Sequence, residues 1–344
     1  MAGAPGLTKV RSIGPLAREV ERAGGSIARV FRAAELPLGL IDEPERLFLL
    51  KDQLLLLECA AREIGDDSLP ARLSIGGGMA GLGRYGEFAS AAGDLQTAIE
   101  RANGFIGALL QSATRLALEV DGERARWTYF VTDDSATGRQ KNEILALGYM
   151  LDLLRRFFGP GWTPSRASVT GGFLRGGRAS AETLGCDIAL GAAAALEFPA
   201  AILAAANPHP VTHSAQLSTT IGLDDASLAN TGRHLIGLAL LDGRPSIAWL
   251  SRRLDVPRRT LQRRLAKEGL TFEMLLHGVL LEQARRLLSD DALTISQIAQ
   301  VLGYSDHAHF TRAFAAATGA TPSAWRANRR DNRQEARIWR EMAS

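Results

Sequence analysis

Hydrophobic residues near the carboxyl end of the chain recur at helical spacing on both sides of a glycine, Gly303. Phe310 and Phe314, four positions apart, place two aromatic rings on one face of the second segment. The first segment has its hydrophobic positions at Ile295, Ile298, Ala299 and Leu302. This spacing predicts two short helices around a turn, with their apolar faces packed inward.

Capping residues mark where these helices start. Thr294 and Gln297 have the spacing of a capping box, and Ser305 is predicted to be the N-cap of the second helix. With Phe310 and Phe314 inside, the other face of that helix carries polar groups able to reach base edges or phosphates in a major groove. The DNA-contacting residues expected here are Ser305, Asp306, His307, His309, Thr311 and Arg312.

A second unit of the same kind is predicted about fifty residues upstream. Leu250 and Leu254 fit its first helix, and residues 258–267 fit a recognition helix with Leu261 and Leu265 on the inner side. Base contacts are expected from Arg258, Arg259, Gln262 and Arg263, and phosphate contacts mainly from Arg253, Arg264 and Lys267. Thr260 is also expected to contact DNA. A long helix over residues 272–288 is predicted to join the two units.

This carboxyl-terminal part resembles the AraC/XylS family of bacterial transcription regulators. The matching residues are Ile298, Ala299, Gly303, Tyr304, Ser305, Asp306, Phe310, Arg312, Phe314, Gly319, Pro322 and Arg326. The resemblance implies an all-α DNA-binding domain with two helix-turn-helix units, double-stranded promoter DNA as a partner, a homodimer, and contact with RNA polymerase, usually for activation. Pro257 departs from the family pattern, which usually has a capping serine there, so we expect that helix to form without a side-chain cap.

The preceding chain predicts an α+β sensor domain. Helices are expected over residues 44–64, 95–110 and 141–158, a β-hairpin turning at Asp121-Gly122 lies within residues 115–131, and strands are expected over 167–173 and 192–198. The glycine-rich segment from Gly76 to Gly86 is expected to be a turn region. The order of elements resembles the arabinose-binding-like domain that often precedes this DNA-binding module.

These elements suggest four parts along the chain. We expect an effector-binding and dimerisation domain over residues 1–204, a linker over 205–227, the DNA-binding domain over 228–330 and a basic tail over 331–344. Charge agrees with this order, because residues from Gly222 onward carry 18 Lys+Arg against 13 Asp+Glu, whereas the earlier residues carry 22 against 24.

Composition and the absence of a long apolar run predict a soluble, cytoplasmic protein. The 46% hydrophobic and 22% charged content is ordinary for a soluble protein, and no run of about 18 apolar residues predicts a membrane span. The two cysteines, Cys59 and Cys186, lie in apolar runs and are expected to be packing residues in a reducing compartment. Neither a metal site nor a cofactor is predicted.

Two motifs suggest cyclic di-GMP as the effector. Arg18 and Arg22 are four apart, and residues 133–138 fit D-x-S-x-x-G through Asp133, Ser135 and Gly138. This pair resembles the motifs with which PilZ domains hold cyclic di-GMP, where guanidinium groups bind guanine edges and phosphates. The motifs are much further apart here than in PilZ domains, and R-x-x-x-R pairs also arise by chance in an arginine-rich chain.

The alternative is a conventional small metabolite in an aromatic-lined cavity. Its candidate lining residues are Arg84, Tyr85, Trp127, Tyr129 and Trp162, which could equally be core residues. The alternative to a DNA-binding regulator is an enzyme. The sequence has no nucleophile elbow, zinc motif, phosphate loop or paired-carboxylate signature, so a non-enzymatic regulator is expected.

Overall fold

The chain forms two compact units, Met1–Ser227 and Leu228–Ser344. The structure is a computed structural model that describes residues 5–132, 137–209, 227–290 and 292–329. The predicted linker therefore lies mostly outside the described residues, and so does the tail over 331–344. That tail carries three arginines and three acidic residues, so its predicted basic character is wrong.

The N-terminal unit combines helices with a five-stranded sheet, as the α+β prediction required. Its described helices are α1 (Leu16–Arg22), α2 (Ile27–Ala33), α3 (Leu50–Ile64), α4 (Leu69–Gly81), α5 (Arg84–Ser90), α6 (Leu95–Leu109), α7 (Arg139–Phe158) and α8 (Gly177–Leu184). Its described strands are β1 (Leu7–Lys9), β2 (Leu47–Leu49), β3 (Thr114–Asp121), β4 (Arg124–Val131), β5 (Arg166–Val169), β6 (Ile188–Leu190) and β7 (Ala194–Pro199). Short 3₁₀ turns occupy Val10–Ile13, Leu38–Asp42 and Ala200–Ala204.

The sheet has the strand order β3-β4-β7-β5-β6. The predicted hairpin is confirmed, because β3 and β4 pair antiparallel from Thr114↔Val131 to Asp121↔Arg124. β6 pairs parallel to β5, and α8 makes the crossover between them. Alternate residues of β4, including Trp127 and Tyr129, are buried on the face that packs against helices.

The helix predicted over residues 44–64 starts later than expected. Leu47–Leu49 is instead a strand that pairs antiparallel with β1, and α3 begins at Leu50. A leucine-rich run is compatible with a helix or with a strand. Here the pairing with β1, forty positions earlier, makes Leu47–Leu49 a strand.

The glycine-rich segment is mostly helical, which corrects the predicted turn region. It spans the end of α4 and the start of α5, with a kink at Gly78, whose φ is 56°. Gly86 allows α5 to lie directly against the chain, because a Cβ there would be 1.7 Å from the carbonyl oxygen of Met79. Here glycine permits close helix packing.

The strand predicted over residues 167–173 ends at Val169. The backbone N–H of the next residue, Thr170, donates to the carboxylate of Glu143 on α7 (2.7 Å) instead of continuing the ladder. Helix α8 and strand β6, which follow, have no counterpart among the sequence predictions.

The C-terminal unit is helical throughout its described residues. Its helices are α9 (Leu228–Ala239), α10 (Ile247–Arg253), α11 (Arg258–Lys267), α12 (Phe272–Leu288), α13 (Ile295–Val301) and α14 (His307–Thr318), and residues 322–329 are also helical. α10–α11 and α13–α14 are the two predicted helix-turn-helix units, and α12 joins them. Across all described residues, no helix is both long and apolar enough to cross a bilayer.

Two glycines in the middle of helices provide a matched test of this packing. A Cβ on Gly148 of α7 would lie 1.8 Å from Oγ of Ser74 on α4, whereas a Cβ on Gly104 of α6 would meet nothing within 4 Å. We expect Gly148→Ala to destabilise the N-terminal unit by about 1–3 kcal/mol through overpacking. Gly104→Ala should stabilise it by about 1 kcal/mol, because alanine favours a helix.

Chemical denaturation followed by circular dichroism measures both changes. The same sign of change in both variants would contradict the close contact between α4 and α7.

Candidate DNA interface and effector cavity

The second helix-turn-helix unit is built on a compact aromatic core. Phe310 and Phe314 are 1% and 2% exposed, and Trp325 packs against Phe314 with ring centroids 6.2 Å apart. The predicted capping box is confirmed, since the Gln297 backbone N–H donates to Oγ1 of Thr294 (3.2 Å) and the Thr294 N–H donates to Oε1 of Gln297 (2.8 Å). The start of α13 is therefore fixed by its cap, and aromatic packing fixes the inner face of the second helix.

The N-cap of α14 is Asp306, one residue later than predicted. Its carboxylate accepts the backbone N–H of His309 (2.7 Å) and the hydroxyl of Ser305 (3.1 Å). The hydrogen bond from His309 is the main reason that the pKa of Asp306 is lowered from its ordinary value. The carboxylate of Asp306, a residue expected to contact DNA, thus holds the start of the recognition helix.

The outer face of α14 is formed by three of its predicted DNA-contacting residues. His307, His309 and Arg312 are exposed, and the ring of Tyr304 lies edge-on to His309 with centroids 5.3 Å apart. Thr311 is half-buried, and its hydroxyl oxygen is buried without a hydrogen-bond partner in the described structure.

The recognition helix of the first unit, α11, is strongly basic outside and apolar inside. Leu261 and Leu265 are 0% and 1% exposed, as predicted. Its exposed polar residues are Arg258, Arg259, Gln262, Arg263, Arg264 and Lys267. Thr260 is half-buried, and so is Arg253 at the end of α10. In the described part of the chain, no carboxylate lies within 4.0 Å of the five cationic groups of α11. They remain available to an external anion such as a phosphate.

The start of α11 has no side-chain cap. Pro257 occupies the N-cap position and makes no side-chain cap hydrogen bond. This confirms the expectation that α11 forms without a side-chain cap from the residue at position 257.

A cavity of about 50 Å³ lies inside the N-terminal unit, between α4–α5, α6, the β3–β4 hairpin and α7. Three of the predicted lining residues, Tyr85, Trp127 and Tyr129, line it, and Tyr149 completes its aromatic wall. Trp162 stacks on Phe158 instead (5.7 Å), and Arg84 is exposed and not part of the lining.

Polar side chains close one end of this cavity. Gln53 donates to Oδ1 of Asn142 (2.8 Å), and both Asn142 (2.9 Å) and Gln111 (2.7 Å) donate to the hydroxyl of Tyr129. Ser12 donates to Oε1 of Gln53 (2.6 Å). The four polar residues were not predicted as lining residues, although a glutamine within the leucine-rich run of α3 was a visible signal.

The structure describes three of the five residues of the predicted cyclic di-GMP motif, Arg18, Arg22 and Gly138. Arg18 and Arg22 are exposed and both pair with Oε1 of Glu19 (3.4 and 3.3 Å). Gly138 has φ 73°, and a Cβ there would lie 2.0 Å from the carbonyl oxygen of Leu54, so the packing of α7 on α3 requires glycine. Asp133 and Ser135 lie outside the described residues.

Comparison with known proteins gives matches in both units. The model of the arabinose-binding domain of AraC transcription regulators, N-terminal part, matches residues 24–207, and a helix-turn-helix domain model matches residues 250–328. The chain belongs to the AraC family of transcription regulators. It is a DNA-binding regulator with an arabinose-binding-like sensor domain, and not an enzyme.

Several curated AraC-family regulators are similar to this chain. The HTH-type transcriptional regulator VirS of Mycobacterium tuberculosis is 27% identical over 307 residues, covering 86% of this chain and 89% of VirS. The ornithine utilization regulator of Pseudomonas aeruginosa is 33% identical over 135 residues, 38% of each chain. The crystal structure of the regulator CdpR from Pseudomonas aeruginosa matches 76% of this chain and 86% of that chain, with 22% identity and a TM-score of 0.38.

Substitutions at Asp306 separate its capping role from a contact to DNA. Asn caps a helix about as well as Asp, whereas Ala does not. We expect Asp306→Ala to weaken DNA binding by loosening the start of α14, and Asp306→Asn to bind at least as well as the wild type, because it keeps the cap and removes a negative charge.

The measurement is fluorescence anisotropy with operator DNA at pH 7, where the lowered pKa keeps Asp306 ionised. This capping contribution should be lost only when the pH falls through that lowered pKa, below the ordinary carboxyl range. Equal loss of affinity in the Asn and Ala variants would show that the carboxylate itself contacts DNA.

Proposed function

We propose that α11 and α14 enter successive major grooves on one face of operator DNA, about 34 Å apart. The observation that carries this proposal is the pair of outer faces on these helices, each opposite a fully buried apolar side. Arg258, Arg259, Gln262 and Arg263 read bases from the first helix, and His307, His309 and Arg312 read bases from the second.

Other residues of the interface hold the helices in place on the backbone. Arg264 and Lys267 bind phosphates, together with the uncapped first turn of α11. Thr260, Arg253 and Thr311 are half-buried, so they support the recognition helices from behind, and Ser305 and Asp306 set the start of α14.

Two substitutions on α11 test the division between base reading and phosphate binding. Arg263→Ala should cost about 1–3 kcal/mol on the preferred operator and relax the preference at one base pair. Lys267→Ala should weaken all sequences alike and reduce the slope of log affinity against log salt by about 1.

Competition binding with a randomised operator library, repeated at several salt concentrations, measures both effects. Equal effects of the two variants on base preference would overturn this division, and a folded wild type that binds no DNA would overturn the proposed interface.

We further propose that the N-terminal unit binds a small-molecule effector and forms a homodimer, which allows two half-sites to be engaged. In this proposal the regulator works in the cytoplasm as an activator through RNA polymerase, which is the commoner outcome in its family. The internal cavity supports an effector site, because it joins aromatic walls to a small set of convergent polar groups. Cyclic di-GMP at Arg18, Arg22, Asp133, Ser135 and Gly138 is the other candidate.

Calorimetric titration of cyclic di-GMP tests that second candidate. The motif hypothesis predicts saturable micromolar binding that is lost in Arg18→Ala, Arg22→Ala and Asp133→Ala. Arg32→Ala, an exposed arginine on α2 outside the motifs, is the matched control and should bind normally. No heat from a folded wild type would remove cyclic di-GMP and leave the internal cavity as the effector site.

A further inference from the structure

The hydroxyl of Tyr129 has a hydrogen-bond donor that no described residue uses. Its oxygen accepts two N–H groups, from Gln111 and Asn142, and it donates to nothing in the described structure. Tyr129 is 5% exposed and lines the cavity. A buried O–H without an acceptor is unfavourable, so this proton is suited to an acceptor inside the cavity.

The donors of the other aromatic lining residues are already used. Tyr85 donates to the carbonyl of Ala102 (3.2 Å), Tyr149 donates to the carbonyl of Ser12 (3.3 Å), and the indole N–H of Trp127 donates to Asn103 (2.8 Å). Tyr129 therefore differs from the rest of the aromatic wall.

The side-chain oxygens of the polar end are occupied in turn. Oε1 of Gln53 accepts from Ser12 (2.6 Å), and Oδ1 of Asn142 accepts from Gln53 (2.8 Å). Oε1 of Gln111 accepts from Thr8 (3.1 Å). Because the acceptors have partners and the Tyr129 proton does not, the polar atom of a ligand has to accept a hydrogen bond.

The uncharged lining of the cavity favours a neutral ligand over an ionised one. All sixteen lining residues are uncharged, and most are aliphatic, aromatic or methionine side chains. Burial raises the pKa of Tyr129 to about 12, so its hydroxyl stays neutral at physiological pH. An ionised ligand would lose its hydration here and gain no opposite charge.

We propose that this cavity binds a small, neutral, mostly apolar molecule whose oxygen accepts a hydrogen bond from Tyr129. The proposal rests on the effector role assigned above to the N-terminal unit, and it names the chemical class of that effector. Met79 and Met150 both line the cavity, and their flexible side chains allow it to widen around a ring-sized ligand.

Three ring compounds of similar size test the class. Acetophenone is neutral and has a carbonyl acceptor, ethylbenzene lacks the acceptor, and benzoate is charged. The full-length protein is titrated with each by ligand-observed NMR, in the wild type and in Tyr129→Phe. The wild type should bind acetophenone about fivefold more tightly than ethylbenzene, which is the gain expected from one net hydrogen bond. It should bind benzoate much more weakly than either neutral compound. Tyr129→Phe should remove the preference for acetophenone and leave ethylbenzene unchanged.

A second pair of variants tests whether the probes bind inside the cavity. Ala146→Leu fills the cavity and should abolish binding of both neutral probes, whereas Ala108→Leu, at a half-buried α6 position outside the lining, should not. Circular dichroism confirms folding, and operator binding by the same preparations tests the DNA-binding role separately.

An unchanged preference for acetophenone in Tyr129→Phe would overturn the role of the hydroxyl, and tight benzoate binding would overturn the neutral class. Retained probe binding in Ala146→Leu would place the probes elsewhere. DNA binding without any probe binding would reject this proposal and leave the DNA-binding role intact.

Discussion

Buried polar groups in the N-terminal unit have to find partners, and this requirement joins segments that are far apart in sequence. Gln53, Tyr129 and Asn142 come from α3, β4 and α7, and Gln111 comes from the segment between α6 and β3. All four are at most 5% exposed. Each hydrogen bond between them contributes only modestly to the free energy of folding. Losing one is more costly, because it leaves a buried polar group unsatisfied. The network therefore fixes the helices against the sheet, and the cavity exists because rigid walls surround it.

The C-terminal unit depends on apolar packing to a greater degree. Helix α12 contributes Leu275 near α9 and Leu280, Ala284 and Leu288 to the core around Phe310 and Phe314. Helix α12 thus packs against the second helix-turn-helix unit and against α9, and α9 in turn contacts α10 and α11 of the first unit. These contacts make the spacing between α11 and α14 a property of the folded unit and not of a flexible connection.

The sequence was most informative where structure is determined by neighbouring residues. The spacing of Ile298, Phe310 and Phe314, the capping box at Thr294 and the Asp121-Gly122 turn depend on contacts within a few positions, and all are confirmed. The pairing of Leu47–Leu49 with β1, the helical state of the glycine segment and the polar end of the cavity depend on residues tens of positions away. Hydrophobic periodicity reports local structure and does not predict such distant contacts. The sequence also does not distinguish a buried amide side chain from an exposed one.

The two recognition helices begin differently, and this difference has a kinetic consequence. The first turn of α11 follows Pro257 with no side-chain cap and carries two arginines, whereas a carboxylate occupies the start of α14. Long-range attraction to DNA accelerates encounter, while short-range contacts mainly slow dissociation. We therefore expect the first helix-turn-helix unit to govern how fast the regulator finds DNA, and the second to govern how long it stays at its operator.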